Sequence, residues 1–264
     1  MFFKIIQFTI VDQIKIKSFY LLLAFFIGLL FIMRGCYSTD YVINGQQVES
    51  IEYVSRIIFQ IIVMGMLLMV SMISMKIFTR DQNDGSIHMF LSRPVRRWEY
   101  SFGRIAGTWL LTSGFMFMLH LTMFIIIWYH TNEMPFRYLG ASIICSVNLL
   151  FIIVAVCLLS LFSPDFISAI LSIGLLFTGF VSDGGYKVLS SEMLKTFAPS
   201  VADPNISLWR IFYPKLFMVQ IYADSLISKT KFIGIGPVHP LINIFIFILL
   251  LLLLTIFVFN RKEI

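Results

Sequence analysis

Residues 241–259, LINIFIFILLLLLLTIFVF, are almost pure Phe, Ile and Leu and carry no charge. A helix of that length rises about 28 Å and matches the roughly 30 Å hydrocarbon core of a bilayer. An element that is apolar on every side cannot be a surface helix of a soluble domain. Five more apolar segments share this character, at about 18–33, 57–78, 107–129, 139–162 and 166–181, the first of them short for a span. With 59% hydrophobic and only 13% charged residues, 28 Phe and a mean hydropathy of +0.90, the chain lies outside the composition of soluble domains. The expectation is an all-α, polytopic membrane protein of one domain with six transmembrane helices. Its net charge of +6 then reflects where Lys and Arg sit relative to the bilayer, not a nucleic-acid footprint.

The segments between the spans have their own patterns. Residues 2–17 place Phe3, Ile6, Ile10 and Ile14 on one side and Lys4, Gln7 and Lys15 off it, which predicts a helix lying in the membrane interface. No small-x-small cleavage site follows, so a removable signal peptide is not expected. Residues 34–56 are polar. The fifth span, 166–181, carries Ser168, Ser172, Gly174 and Gly179, a small-residue face that predicts close helix contact, within the chain or across a dimer. The longest polar stretch, 182–239, contains helical spacing at Leu216, Val219, Ala223 and Leu226, read as short helices dipping into the outer leaflet. Three cysteines, Cys36, Cys145 and Cys157, form no disulfide or metal pattern. Eleven basic residues fall on the side of both termini and the 76–104 loop, against three in the two short loops opposite and six in the long 182–239 loop, whose length gives it less weight, so both ends are expected in the cytoplasm.

The densest block of charge is KIFTRDQNDGSIHMFLSRPVRRWEYSFGRIAG, from Lys76 to Gly107. Ile87, Phe90 and Leu91 fall at i, i+3 and i+4, giving a short helix one apolar face. Pro94 suits the first turn of a new helix, in which Val95, Trp98, Phe102 and Ile105 share a face. An amphipathic helix on the membrane surface followed by a helix re-entering the bilayer fits this pattern. An ordinary basic loop fits its composition equally well.

The order Asp84-Gly85-Ser86, Leu91-Ser92-Arg93-Pro94-Val95-Arg96-Arg97, Glu99-Tyr100 and Gly103-Arg104 resembles the first cytoplasmic loop of type-2 ABC transporter permeases. Asp84, Ser86 and Arg104 are conservative departures from that pattern, and the close match covers about 25 residues. The Asn260-Arg261-Lys262-Glu263 ending after the last span and the N-terminal "elbow" helix are similar to the family as well. The resemblance implies a coupling helix that docks on a separate ATPase subunit through Asp84, Gly85, Ile87, Phe90, Leu91, Pro94, Arg96, Arg97 and Glu99. It implies two ATPase subunits, which hold the ATP and magnesium, and a second permease chain, identical or related. The setting would be the plasma (bacterial inner) membrane, with no cofactor in this chain and no nucleic-acid partner.

Other chemistry is sparse. There is no G-x-x-x-x-G-K-[ST] to cradle ATP phosphates and no H-E-x-x-H. The spans hold almost no ionisable residues, which argues against an ion-coupled relay. Gly140-Ala141-Ser142 together with His239 evokes the Ser and His of rhomboid intramembrane proteases, but small residues at a helix start also serve packing. His88, in the charged block, is expected to face a partner or solvent, and His120, inside the third span, to hydrogen-bond another helix. Asn205-Ile206-Ser207 is a bare glycosylation sequon. A non-transporting structural or assembly membrane protein is the main alternative to a permease.

Overall fold

The structure, a computed structural model, describes residues 2–15, 20, 24, 26–28, 41–43, 46–48, 50–83, 96–132, 134–189, 213–232, 234 and 238–261. The fold is a helical bundle. Among the described residues its main helices are α1 (Phe2–Ile14), α2 (Ser50–Ser74), α3 (Ile77–Asn83), α4 (Arg97–Thr131), α5 (Phe136–Ser160), α6 (Asp165–Leu189), α7 (Leu216–Ile227) and α8 (Pro240–Arg261). Among the described residues one hairpin interrupts the helical pattern, β1 (Tyr41–Ile43) antiparallel to β2 (Gln46–Val48), with Ile43 opposite Gln46. The two residues between the strands are Asn-Gly, the dipeptide favoured in two-residue hairpin turns.

Five helical stretches among the described residues are long and apolar enough to cross a membrane: Tyr53–Asp81, Arg97–Tyr129, Phe136–Ser160, Phe166–Gly184 and Pro240–Arg261. Of the expected first span, 18–33, only residues 20, 24 and 26–28 are described. Phe26, within it, seats its ring where a Cβ on Gly65 of α2 would stand.

α5 is the hub of the bundle. It packs on α2, α4, α6, α7 and α8, and its residues from Phe151 to Cys157 are all buried. α8, by contrast, leaves Phe245, Leu249, Leu253 and Phe257 exposed along its length. α7 is not a surface element. Leu216, Met218, Val219 and Ala223 are buried, Asn148 Nδ2 of α5 donates to the Leu216 carbonyl at 3.0 Å, and the Lys215 N–H donates to Asn243 Oδ1 of α8 at 3.1 Å. Its far end is held by Arg56, whose Nε donates to Asp224 Oδ1 at 2.9 Å.

Three expectations change here. First, residues 182–189 continue α6 rather than opening the long loop. No proline stops the helix, and Phe180 packs on Phe217 of α7 with ring centroids 4.9 Å apart. Second, the apolar side of α1 is not its packed side. Ile5, Thr9 and Gln13 are buried, whereas Phe3 is 82% exposed and Ile6, Ile10 and Ile14 lie on the flanks. The cause is α4: a Cβ on Gly103 would stand 2.9 Å from the Ile5 Cγ2, and one on Gly107 would stand 2.8 Å from the Thr9 Cβ. Two glycines one turn apart form a groove into which α1 settles. Third, Trp98 and Phe102 do not join Ile105 in the core. They are exposed, while Tyr100 and Arg104 turn inward.

Candidate functional site: a buried ionic cluster at the base of the charged loop

α1, α3, the first turns of α4 and the last turn of α8 meet at one end of the bundle. Phe259 of α8 packs against Phe78 of α3 and Tyr100 of α4, with centroids 5.2 and 5.9 Å apart. Arg97 Nη1 donates to the Asn260 carbonyl at 3.4 Å. Helix α1, the last turn of α8 and the helices on either side of residues 84–95 are thus gathered together.

At the centre stands Arg104, only 2% exposed. Its guanidinium forms an ion pair with Asp81 at the end of α3, and the Tyr100 hydroxyl donates to the same Asp81 oxygen. Arg104 Nη1 also donates to Thr9 Oγ1 at 3.4 Å and lies 3.9 Å from Asp12 Oδ2, both on α1. The ring of Phe8 lies 5.0 Å beneath the guanidinium carbon, a cation–π arrangement. Thr9 donates its own proton to the Ile5 carbonyl at 2.8 Å, which leaves its oxygen free to accept from Arg104. Thr108 works in the same way: its hydroxyl donates to the Arg104 carbonyl at 3.0 Å and accepts from Gln13 Nε2 at 2.7 Å. Arg80, at the exposed edge, pairs with Asp12 at 3.3 Å.

This density of bonding has a physical cause. A buried charge is tolerated only when paired and hydrogen-bonded, and Asp81 and Arg104 are both buried. The cluster therefore ties three helices to one another with directional contacts.

The residues singled out from sequence divide sharply. Asp84, Gly85, Ile87, Phe90, Leu91 and Pro94 lie outside the described residues, as does His88. Arg96 is exposed just ahead of α4, and its N–H donates to Glu99 Oε2 at 3.4 Å, so Glu99 caps the helix it belongs to. Ser168 and Ser172 are buried, with Ser172 Oγ donating to the Ser168 carbonyl at 2.9 Å. Beside them Ser71 of α2 donates to the Ala169 carbonyl at 3.2 Å, and Gly179 faces Tyr213. Ser168, Ser172 and Gly179 thus pack inside the chain, whereas Gly174 is exposed, with nothing within 4 Å of an added Cβ.

Ser142 meets His120, not His239. His120 Nδ1 lies 2.8 Å from Ser142 Oγ, joining α4 to α5, with Phe59 and Tyr138 against the imidazole at 4.5 and 5.6 Å. His239 lies against Tyr222 and Phe232, 5.0 and 6.0 Å away. Asp81, Thr9, Gln13 and Thr108 carried no distinguishing signal as single residues. The one visible clue was the Gly103-x-x-x-Gly107 spacing around Arg104.

No protein-family model matches this sequence, and no curated protein does either.

Proposed function

We propose that this chain is the membrane-spanning permease subunit of an ABC transporter of the type-2 kind. In this reading it pairs with a second permease chain and with two ATPase subunits that hold the ATP and magnesium. The motif from Asp84 to Glu99 docks on the ATPase, and both termini face the cytoplasm of a cell whose plasma membrane the chain crosses. Spans that carry almost no ionisable residues in sequence suit lipidic, amphiphilic or peptide cargo better than small ions.

The observation that carries the proposal is the Asp81–Arg104 ion pair. Those two residues flank the motif in sequence, and their side chains are locked to each other and to α1. A docking element that moves helices needs such a rigid root, because force applied between Asp84 and Glu99 would otherwise be absorbed by local bending. The gathering of α1, the charged loop and the end of α8 at one pole further supports a common cytoplasmic side.

The test is pull-down of the ATPase with wild-type and Phe90→Asp chains at matched expression. A buried Phe or Leu side chain in the docking groove is worth about 1.5–3 kcal/mol, so Phe90→Asp releases the ATPase and abolishes coupled ATP hydrolysis while the chain stays in the membrane. Arg97→Ala acts only partly, since exposed charges are screened. Equal recovery from wild type and Phe90→Asp would sink the assignment. A purely structural membrane protein has no ATPase to lose.

A further inference from the structure

We propose that the cleft beside Arg104 binds the headgroup of an anionic glycerophospholipid. The inference rests on the reading of the apolar helices as membrane spans and does not require the ATPase partnership.

The cleft has a volume of about 320 Å3, at the small end of the range for ligand sites. Its inner wall includes Gln13, Asp81 and Arg104, all buried, and its outer wall includes Lys15, Lys76 and Arg80, all exposed. Arg104 is committed to Asp81 and Arg80 to Asp12. Lys15 and Lys76 form no ion pair among the described residues. Two positive charges at the mouth are therefore uncompensated, and they attract an anion.

Gln13 narrows the chemistry. Its amide nitrogen is spent on Thr108, while its Oε1 is buried without a hydrogen-bond partner among the described residues. Leaving a buried acceptor unpaired is unfavourable, and a hydroxyl donor entering the cleft would satisfy it. A phosphoglycerol headgroup supplies both features, a phosphate for Lys15 and Lys76 and a hydroxyl for Gln13. Asp12, paired with Arg80, also lines the cleft, and Ile73 and Ile77 complete the wall with apolar surface, against which the lipid's glycerol backbone would lie. A phosphocholine headgroup has no hydroxyl and brings a cation towards the lysines, so it fits poorly.

The experiment uses the full chain, purified in neutral detergent without any ATPase, so failure of the transporter reading does not affect it. Native mass spectrometry is run with phosphatidylglycerol or phosphatidylcholine at equal concentration. The expected result is preferential retention of phosphatidylglycerol. Each lysine removed weakens that binding by roughly fivefold, so Lys15→Gln/Lys76→Gln brings it down to the phosphatidylcholine level. Lys229→Gln/Lys231→Gln, two exposed lysines after α7, leaves it unchanged. If the double variant aggregates, the single Lys15→Gln and Lys76→Gln variants carry the same test. Equal retention of the two lipids overturns the proposal, as does full phosphatidylglycerol binding by the Lys15/Lys76 variants. Displacement of the lipid by equimolar glycerol 3-phosphate also overturns it, since the site would then serve a soluble phosphate ester.

Discussion

Asp81 and Arg104 stand 23 positions apart, on either side of the loop that carries the Leu-Ser-Arg-Pro-Val motif, and their buried side chains close that loop with an ion pair. Tyr100 shares the Asp81 carboxylate and Thr9 supports the guanidinium, so the pair also anchors the N-terminal helix. Helix α4 is 35 residues long, about 52 Å at 1.5 Å per residue, far more than a bilayer core requires. Its extra turns give the cluster a rigid base beyond the apolar region.

Removing one partner of this pair leaves the other buried and uncompensated. Arg104→Met is expected to destabilise the purified chain by about 3–5 kcal/mol. Asp81→Leu/Arg104→Met should recover a large part of that loss, because no lone charge remains. Denaturant titration in micelles measures both; a double variant as unstable as the sum of the singles would refute the coupling.

The groove that seats α1 leaves no room at Gly107. In Gly107→Ala the new methyl would lie 2.8 Å from the Thr9 Cβ and 3.1 Å from the Ile6 carbonyl oxygen, and overpacking of this sort costs about 1–3 kcal/mol. Gly114, on the same helix, has nothing within 4 Å of an added Cβ. Gly114→Ala should therefore be neutral or stabilising by about 0.5–1 kcal/mol. Thermal unfolding of the two variants side by side decides the matter, and equal behaviour would remove the groove from the account.

The Ser142–His120 contact predicts a packing role with a small energy. Inter-helix side-chain hydrogen bonds inside membranes average about 0.6 kcal/mol and reach about 1.7, so Ser142→Ala should lower stability by no more than that. Both residues are almost fully buried, at 1% and 0% exposure. A fluorophosphonate probe should leave Ser142 unmodified; labelling that disappears in Ser142→Ala would instead point to a hydrolase.

Orientation is open to direct test. In a background lacking Cys36, Cys145 and Cys157, a cysteine at Ser86 should resist an impermeant thiol reagent on intact cells, and one at Ser200 should react. Labelling at position 86 but not at 200 would reverse the topology.

The helices themselves are legible in the sequence because hydropathy and length act locally. The apolar segments at 139–162 and 241–259 correspond to α5 and α8 within a few residues. Boundaries slip where a helix outlasts its apolar stretch. The helix that the sequence starts at Pro94 runs unbroken into the next span as α4, whereas 182–189 reads as loop yet continues α6. Distant residues hold both stretches: Asp81 pairs with Arg104 at the start of α4, and Phe217 lies 3.7 Å from where a Cβ on Gly184 would stand.

The ionic cluster is harder to read, because charged residues look alike in a sequence. Lys15, Arg80 and Arg104 all count as basic residues near a span end. Only Arg104 is drawn inside, because Asp81, Tyr100 and Thr9 converge on it from three helices.

Sequence alone determined that this chain is a bundle of apolar helices, with its charge concentrated between residues 76 and 107. Length, hydropathy and the cost of unpaired backbone in lipid leave no other solution. It did not determine which helix faces would be buried. In a bilayer the surroundings of a helix are as apolar as its core contacts, so hydrophobic periodicity loses its power to point inward. Tertiary packing alone made α5 the buried hub and left α8 on the outside, and it alone turned Thr9 and Gln13 rather than Phe3 towards the protein. The deciding forces were close approach at Gly103 and Gly107 and the need of Asp81 and Arg104 for each other.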